Sequence, residues 1–129
     1  MLEKLIEDDL LEMVRKDEVF DFVSSDIASR MKDAYIRGEL YREQPFVICD
    51  DPEDPESMLV QGIIDAYFIE GGEIVLVDYK TDRGKSEAKL VEDHGVQLEY
   101  YGKALERMLH LKLKESVIYS TFLRKSIII

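Results

Sequence analysis

Between Leu59 and Lys80, two runs rich in Ile, Val, Leu and aromatic residues meet at Gly71-Gly72, and this stretch constrains the fold more than any other. Two consecutive glycines supply the positive φ angles of a two-residue hairpin turn, and β-branched residues on either side favour strands. In the first run the even positions Val60, Gly62, Ile64, Ala66 and Phe68 are all apolar, while the odd positions mix Leu59, Gln61, Ile63, Asp65, Tyr67 and Ile69. In the second, Val75, Val77 and Tyr79 oppose Ile74, Leu76, Asp78 and Lys80. The pattern predicts a β-hairpin. No helical pattern follows the glycines directly, so they form a turn and not a phosphate loop.

Each run carries a carboxylate among apolar neighbours, Asp65 in the first and Asp78 in the second. Burying a carboxylate in such a strand is costly unless positive charge compensates it. Side chains repeat with period 2, so Lys80 projects from the same strand face as Asp78. A hairpin brings Asp65 across from Asp78. Two carboxylates converging beside an ammonium make a hard-oxygen site suited to Mg²⁺ or Mn²⁺. Such an ion polarises a phosphate and activates water, while the lysine steadies transition-state charge. The bland alternative is a structural Asp78–Lys80 ion pair at a strand end, and for D-x-K alone it is the better reading.

Upstream, Leu2, Leu5, Ile6, Leu10, Met13 and Val14 recur at helical spacing, and Val19 to Tyr35 continue as one or two further helices broken near Ser24–Asp26. Gly38 is the expected stop. Leu40 to Asp50 alternates and carries Pro45, which suits an edge strand, and the acidic 51–56 stretch is a solvated turn. After a polar loop at 81–86, Lys89 to about Leu111 reads as a long amphipathic helix whose stripe is Leu90, Val91, His94, Leu98, Tyr101, Leu105, Met108 and Leu109. A last strand is expected at Val117–Phe122, before the terminal Ile127-Ile-Ile. The order predicts α+β or α/β with a mixed sheet.

Composition narrows the setting. A length of 129 residues with 46% apolar content suits one domain with one core. No run approaches the roughly 18 apolar residues of a membrane span, and no signal-peptide pattern opens the chain, so a soluble, cytoplasmic protein is expected. The lone Cys49 leaves no internal disulfide, thiolate zinc site or iron–sulfur cluster in this chain. The net charge of −11 argues against a simple nucleic-acid coat. That surplus is lopsided: residues 1–56 hold 17 acidic and 7 basic side chains, residues 57–129 hold 11 and 10. A polyanion can still approach the second half.

Gly62-Ile-Ile-Asp65, Asp78-Tyr-Lys80-Thr81 and Gln97-Leu-Glu-Tyr-Tyr101 together resemble the GxxD, D-x-K and QLxxY series of RecB-type nucleases in the PD-(D/E)xK superfamily. Glu43-Gln-Pro-Phe46 is similar to the E-x-P-F strand that precedes GxxD there, and Val77 to Asp82 most resembles the C-terminal nuclease domain of the AddA group. The likeness runs from about Arg42 to Tyr119; each motif is weak, and four in order are strong. It implies an α/β, restriction-endonuclease-like fold: a mixed central sheet of four or five strands flanked by helices, with a helical N-terminal segment. By the same resemblance Asp65, Asp78 and the Tyr79 backbone carbonyl are metal ligands and Lys80 is the catalytic lysine. Gln97 and Tyr101 face the active site or the DNA strand. The implied activity is a Mg²⁺-dependent (Mn²⁺-tolerant) deoxyribonuclease acting in double-strand-break resection and recombinational repair. The implied partners are DNA, an ATP-hydrolysing helicase portion of the parent chain, and the second AddAB subunit.

One departure stands out. RecB-type nucleases usually carry a metal-binding histidine on a helix before GxxD, and here no histidine precedes Asp65. The two present, His94 and His110, lie in and at the end of the QLxxY helix. The expectation is a fragment of a longer chain: a single domain over 1–129, with a helical lead-in at 1–37 and the nuclease sheet and QLxxY helix at 40–129. Alone, it is expected to cut linear DNA weakly or not at all. The alternative is a catalytically incomplete module for DNA guidance or subunit contact. His94 is expected at the core edge, Cys49 as an inert strand residue and Tyr100 as packing. Glu43 either orders the sheet or approaches the metal. Thr81-Asp82-Arg83 either lines the active-site rim or merely starts a polar loop.

Overall fold

The structure, a computed structural model, describes residues 16–49, 51, 53, 54 and 56–129; the helix expected from the Leu2–Val14 pattern lies outside them. The elements run α1 (Lys16–Val23), α2 (Asp26–Arg37), β1 (Leu40–Cys49), β2 (Leu59–Glu70), β3 (Glu73–Lys80), α3 (Glu87–Leu109), β4 (Leu113–Ser120) and β5 (Lys125–Ile128). Ser25 caps α2 by accepting the Ala28 N–H at 3.3 Å, and Gly38 closes it in the left-handed region at φ 78°. The hairpin turn is where the glycines place it, with φ 60° at Gly71, 79° at Gly72, and Glu70 paired to Glu73.

Five strands form one mixed sheet in the order β1-β2-β3-β4-β5. All neighbours are antiparallel except β3 and β4, which the α3 crossover joins in parallel. The fold is thus the mixed, helix-flanked α/β sheet expected. On one face Phe22, Ile27, Ala28, Met31 and Ala34 of α1 and α2 pack on Phe68, Val75, Val77, Val117 and Tyr119. On the other, Leu90, Leu98, Tyr101, Ala104 and Leu105 of α3 pack on Ile64, Tyr67, Ile74, Leu76 and Ile118. Every residue of β3 from Ile74 to Tyr79 is buried, as the centre of a two-sided sheet requires. Among the described residues no helix is long and apolar enough to cross a membrane.

Several sequence expectations shift. The even row of β2 does not stay on one face: Ile64 joins the α3 core, whereas Ala66 and Phe68 join the α1–α2 core. β1 switches likewise, with Leu40 against one core and Phe46 and Ile48 in the other. The pairing steps from Arg42↔Ala66 to Gln44↔Ile64, omitting Glu43 and Asp65, and Glu43 takes φ 52°. A period-2 reading assumes unbroken pairing, and this joint kink breaks it. The last strand begins at Leu113, four residues before the expected start, because charged Glu115 is paired at 2.6 Å with Arg30 of α2. Arg30 also binds Glu70 at 2.8 Å, which foremost holds that carboxyl down to about 2. In α3 the buried stripe omits Val91 and Met108, which are 36% and 42% exposed.

Candidate metal centre

β2 and β3 pair from Glu70↔Glu73 as far as Ala66↔Val77, and then fork. Beyond the fork β2 continues only alongside β1, to Cys49↔Leu59. Asp65 sits in the crotch, its Oδ2 accepting the Tyr79 N–H at 2.9 Å. A side-chain carboxylate therefore satisfies a ladder donor that the departing strand no longer meets. The Tyr79 ring points the other way, edge-on to Phe22 at 5.4 Å, so only its backbone borders the site. An open groove over Phe46 and Gly62 continues past Pro45, Val47, Gln61 and Ile63 on the forked side.

Asp78 shares its strand parity with Ile74 and Leu76 and therefore faces α3. It is only 3% exposed. Its Oδ2 lies 2.9 Å from Lys80 Nζ, yet the approach is misaligned, so that buried oxygen has an ionic neighbour and no hydrogen-bond donor. Lys80 Nζ donates in turn to Gln97 Oε1 at 3.4 Å. Burial first, and then the Asp78 carboxylate beside it, push Asp65 above the ordinary carboxylate range. The centre thus lacks positive charge. Its donors are hard oxygens, and the orphaned Asp78 Oδ2 and the proton-seeking Asp65 fit a divalent cation.

Tyr101 forms the lid. It is 9% exposed, and burial followed by the charges of Asp78 and Asp65 pushes its hydroxyl up, keeping it a proton-bearing donor. Its ring meets Phe46 edge-on at 5.1 Å. Both rings close over Gly62, where an added Cβ would lie 3.1 Å from Phe46 Cε1 and 3.3 Å from Tyr101 Cε1. That is a steric reason for glycine three residues before Asp65. Gly62→Ala is expected to cost about 1–2 kcal/mol through overpacking, read by thermal unfolding, and to displace Tyr101. A variant with unchanged melting temperature would show that the rings yield freely.

Asp65, Asp78, Lys80 and Gln97 are therefore brought together, with Tyr101 beside them. Thr81 begins the loop after Lys80 and is half-buried, while Glu43 is exposed at the kink, opposite Asp65. Cys49 ends β1, its carbonyl accepting from Arg107 Nη1 at 3.0 Å. Tyr100 lies 5.8 Å under Lys103. His110 caps α3 in the left-handed region at φ 55°. His94 departs from expectation: it meets no apolar stripe but lies 3.1 Å from Asp82 Oδ2. Two contacts of the 81–86 loop have no signal in the sequence, Asp82–His94 and Arg83–Glu18, because both join residues of distant elements.

Residues 2–126 match the PD-(D/E)XK nuclease superfamily. The chain belongs to that superfamily. As a PD-(D/E)XK nuclease domain it is 34% identical to the larger, nuclease-named component of an ATP-dependent helicase/nuclease from Lachnoclostridium phytofermentans, over 95% of this chain and 12% of that protein. It is 36% identical to the corresponding ATP-dependent helicase/nuclease chain of Clostridium kluyveri over 79% of its length, and 34% identical to that of Syntrophomonas wolfei over 96%. The chain spans only 9–12% of the length of these relatives. PD-(D/E)XK nucleases generally use divalent metal ions, in keeping with the oxygen-rich crotch.

Proposed function

We propose that this nuclease domain is a Mg²⁺-dependent deoxyribonuclease in which Asp65, Asp78 and the Tyr79 carbonyl hold the ion. The observation that carries the proposal is the buried pair of carboxylates at the strand fork, one oxygen lacking a donor and one group seeking a proton. A bound ion would supply the Lewis acidity that polarises a phosphate and sharpens a water nucleophile. Lys80, which contacts Asp78, faces the charge that builds on the phosphate during cleavage. Gln97 steadies Lys80 Nζ, Tyr101 donates from the lid, and Thr81 and Glu43 border the strand path. The helicase/nuclease relatives support a setting within a longer cytoplasmic polypeptide. There a helicase portion and a second subunit deliver linear DNA during break resection and recombinational repair. With a net charge of −11, this domain relies on those parts for most of its DNA affinity.

A second reading rests on one observation: among the described residues no third His, Cys, Asp or Glu joins Asp65 and Asp78 within 4.8 Å. An incomplete module that guides DNA or contacts a partner chain would show that. Metal titration separates the two. A carboxyl whose folded pKa is raised binds a proton more readily folded than unfolded. The stability of the metal-free domain should therefore fall as pH rises from the carboxylate range through neutrality, and Asp65→Asn should remove that share of the slope. Mn²⁺ should raise the melting temperature more at about pH 8 than at about pH 5, because its ligands must shed protons. Asp65→Asn and Asp78→Asn should lose this gain. Equal Mn²⁺ responses in wild type and both variants would favour the incomplete module.

A further inference from the structure

The 81–86 loop joins the strand bearing Asp78 and Lys80 to the helix bearing Gln97 and Tyr101, so its placement sets the gap between them. It is fastened on both flanks. On the α3 side Asp82 Oδ2 lies 3.1 Å from His94 Nε2 and 2.7 Å from Lys85 Nζ, and Lys85 Nζ also lies 2.7 Å from Asp93 Oδ2. On the α1 side Arg83 Nη2 lies 3.0 Å and 2.9 Å from the two carboxylate oxygens of Glu18, whose side chain is 2% exposed. The Arg83 guanidinium also covers the Phe122 ring at 5.6 Å. Asp82, Asp93 and His94 gather close enough to suggest a cation site. Lys85 already bridges the two carboxylates, which makes the cluster an internal ion-pair network.

Asp82 follows Lys80 by two residues, and His94 precedes Gln97 by three, close to one helical turn. Lys80–Gln97 and Asp82–His94 are therefore successive rungs between the same strand end and the same helix. The inner rung is long at 3.4 Å and involves an exposed glutamine, which by itself holds position poorly. The outer rung ends on a carboxylate held down to about 2, by Lys85 foremost and then His94, so it stays charged at neutral pH. The strong rung stands beside the weak one.

We infer that Asp82 and His94 are positioning residues: their contact fixes α3 against the end of β3 so that Gln97 keeps Lys80 Nζ beside Asp78. The inference deepens the proposed nuclease function and rests on it. The test is steady-state cleavage of linear DNA with Mn²⁺ by the full-length protein that carries this domain. The variants are His94→Ala, His94→Gln, Gln97→Ala, the His94→Ala/Gln97→Ala double and an Asp78→Ala control, each with Mn²⁺ affinity and melting temperature measured. His94→Ala should lower kcat about tenfold, as misplacement of a reacting group does, with KM and Mn²⁺ affinity changed less than about twofold. His94→Gln, which can still donate to Asp82, should recover most of the rate. In the Gln97→Ala background, His94→Ala should cost less than about twofold, since coupled residues are not additive. An unchanged kcat in His94→Ala overturns the inference. So does an equal loss in both backgrounds, a rate loss that follows Mn²⁺ affinity, or one that follows melting temperature without rescue by glutamine. Persistent cleavage by Asp78→Ala would instead refute the nuclease function itself.

Discussion

Asp78→Ala should reduce metal-dependent cleavage by more than about a thousandfold, on the order of 4 kcal/mol of barrier, without unfolding the domain. The side chain is buried at the mouth of the fork with one oxygen free of any donor, so its main interaction partner is the ion it is proposed to bind. Removing it takes away a hard ligand and the anion that draws Lys80 inward. It also relieves the fold of a costly buried charge, so the melting temperature of the metal-free variant should match or exceed wild type. Single-turnover cleavage and Mn²⁺ titration on the same samples decide the matter. Retained cleavage with retained Mn²⁺ binding would place the catalytic ion elsewhere.

Lys80→Ala should separate binding from turnover. An ammonium offers three donors and no lone pair, so it cannot be a ligand. Its loss leaves Asp65 and Asp78 with less positive charge beside them, so Mn²⁺ should bind as tightly or more tightly. Turnover should fall by about 10²–10³, the usual loss for one group that stabilises transition-state charge. Lys80→Arg should restore little, because a planar fork does not reproduce a point charge at the end of a flexible stem. Metal affinity and turnover falling together would mean that Lys80 acts by shaping the site.

The parts legible in the sequence are those written in local chemistry. Gly71-Gly72 and the apolar runs on either side specify the hairpin, and two aspartates inside those runs mark the centre because burial there is costly. Ser25 and Gly38 mark the ends of α2 for the same local reason. The kink is hidden, because nothing in the identity of Glu43 announces a left-handed backbone, and without it the parity of β2 comes out wrong beyond Asp65. The start of β4 is hidden because Glu115 reads as a loop residue until Arg30, far earlier in the chain, is known to face it. The phase of His94 on its helix assigns it to the apolar stripe. What that phase meets is the polar 81–86 loop, whose path is set by tertiary contacts.

The joint kink at Glu43 and Asp65 also bears on self-association. β1 is an edge of the sheet, and a ten-residue edge would ordinarily offer a continuous template for strand addition by another chain. A left-handed residue at Glu43 and a proline at position 45, which has no N–H, break that row of donors near its middle. The opposite edge, β5, is only four residues long. Both borders are thereby guarded against edge-to-edge aggregation, and on β1 the guard is the same irregularity that turns Asp65 into the crotch.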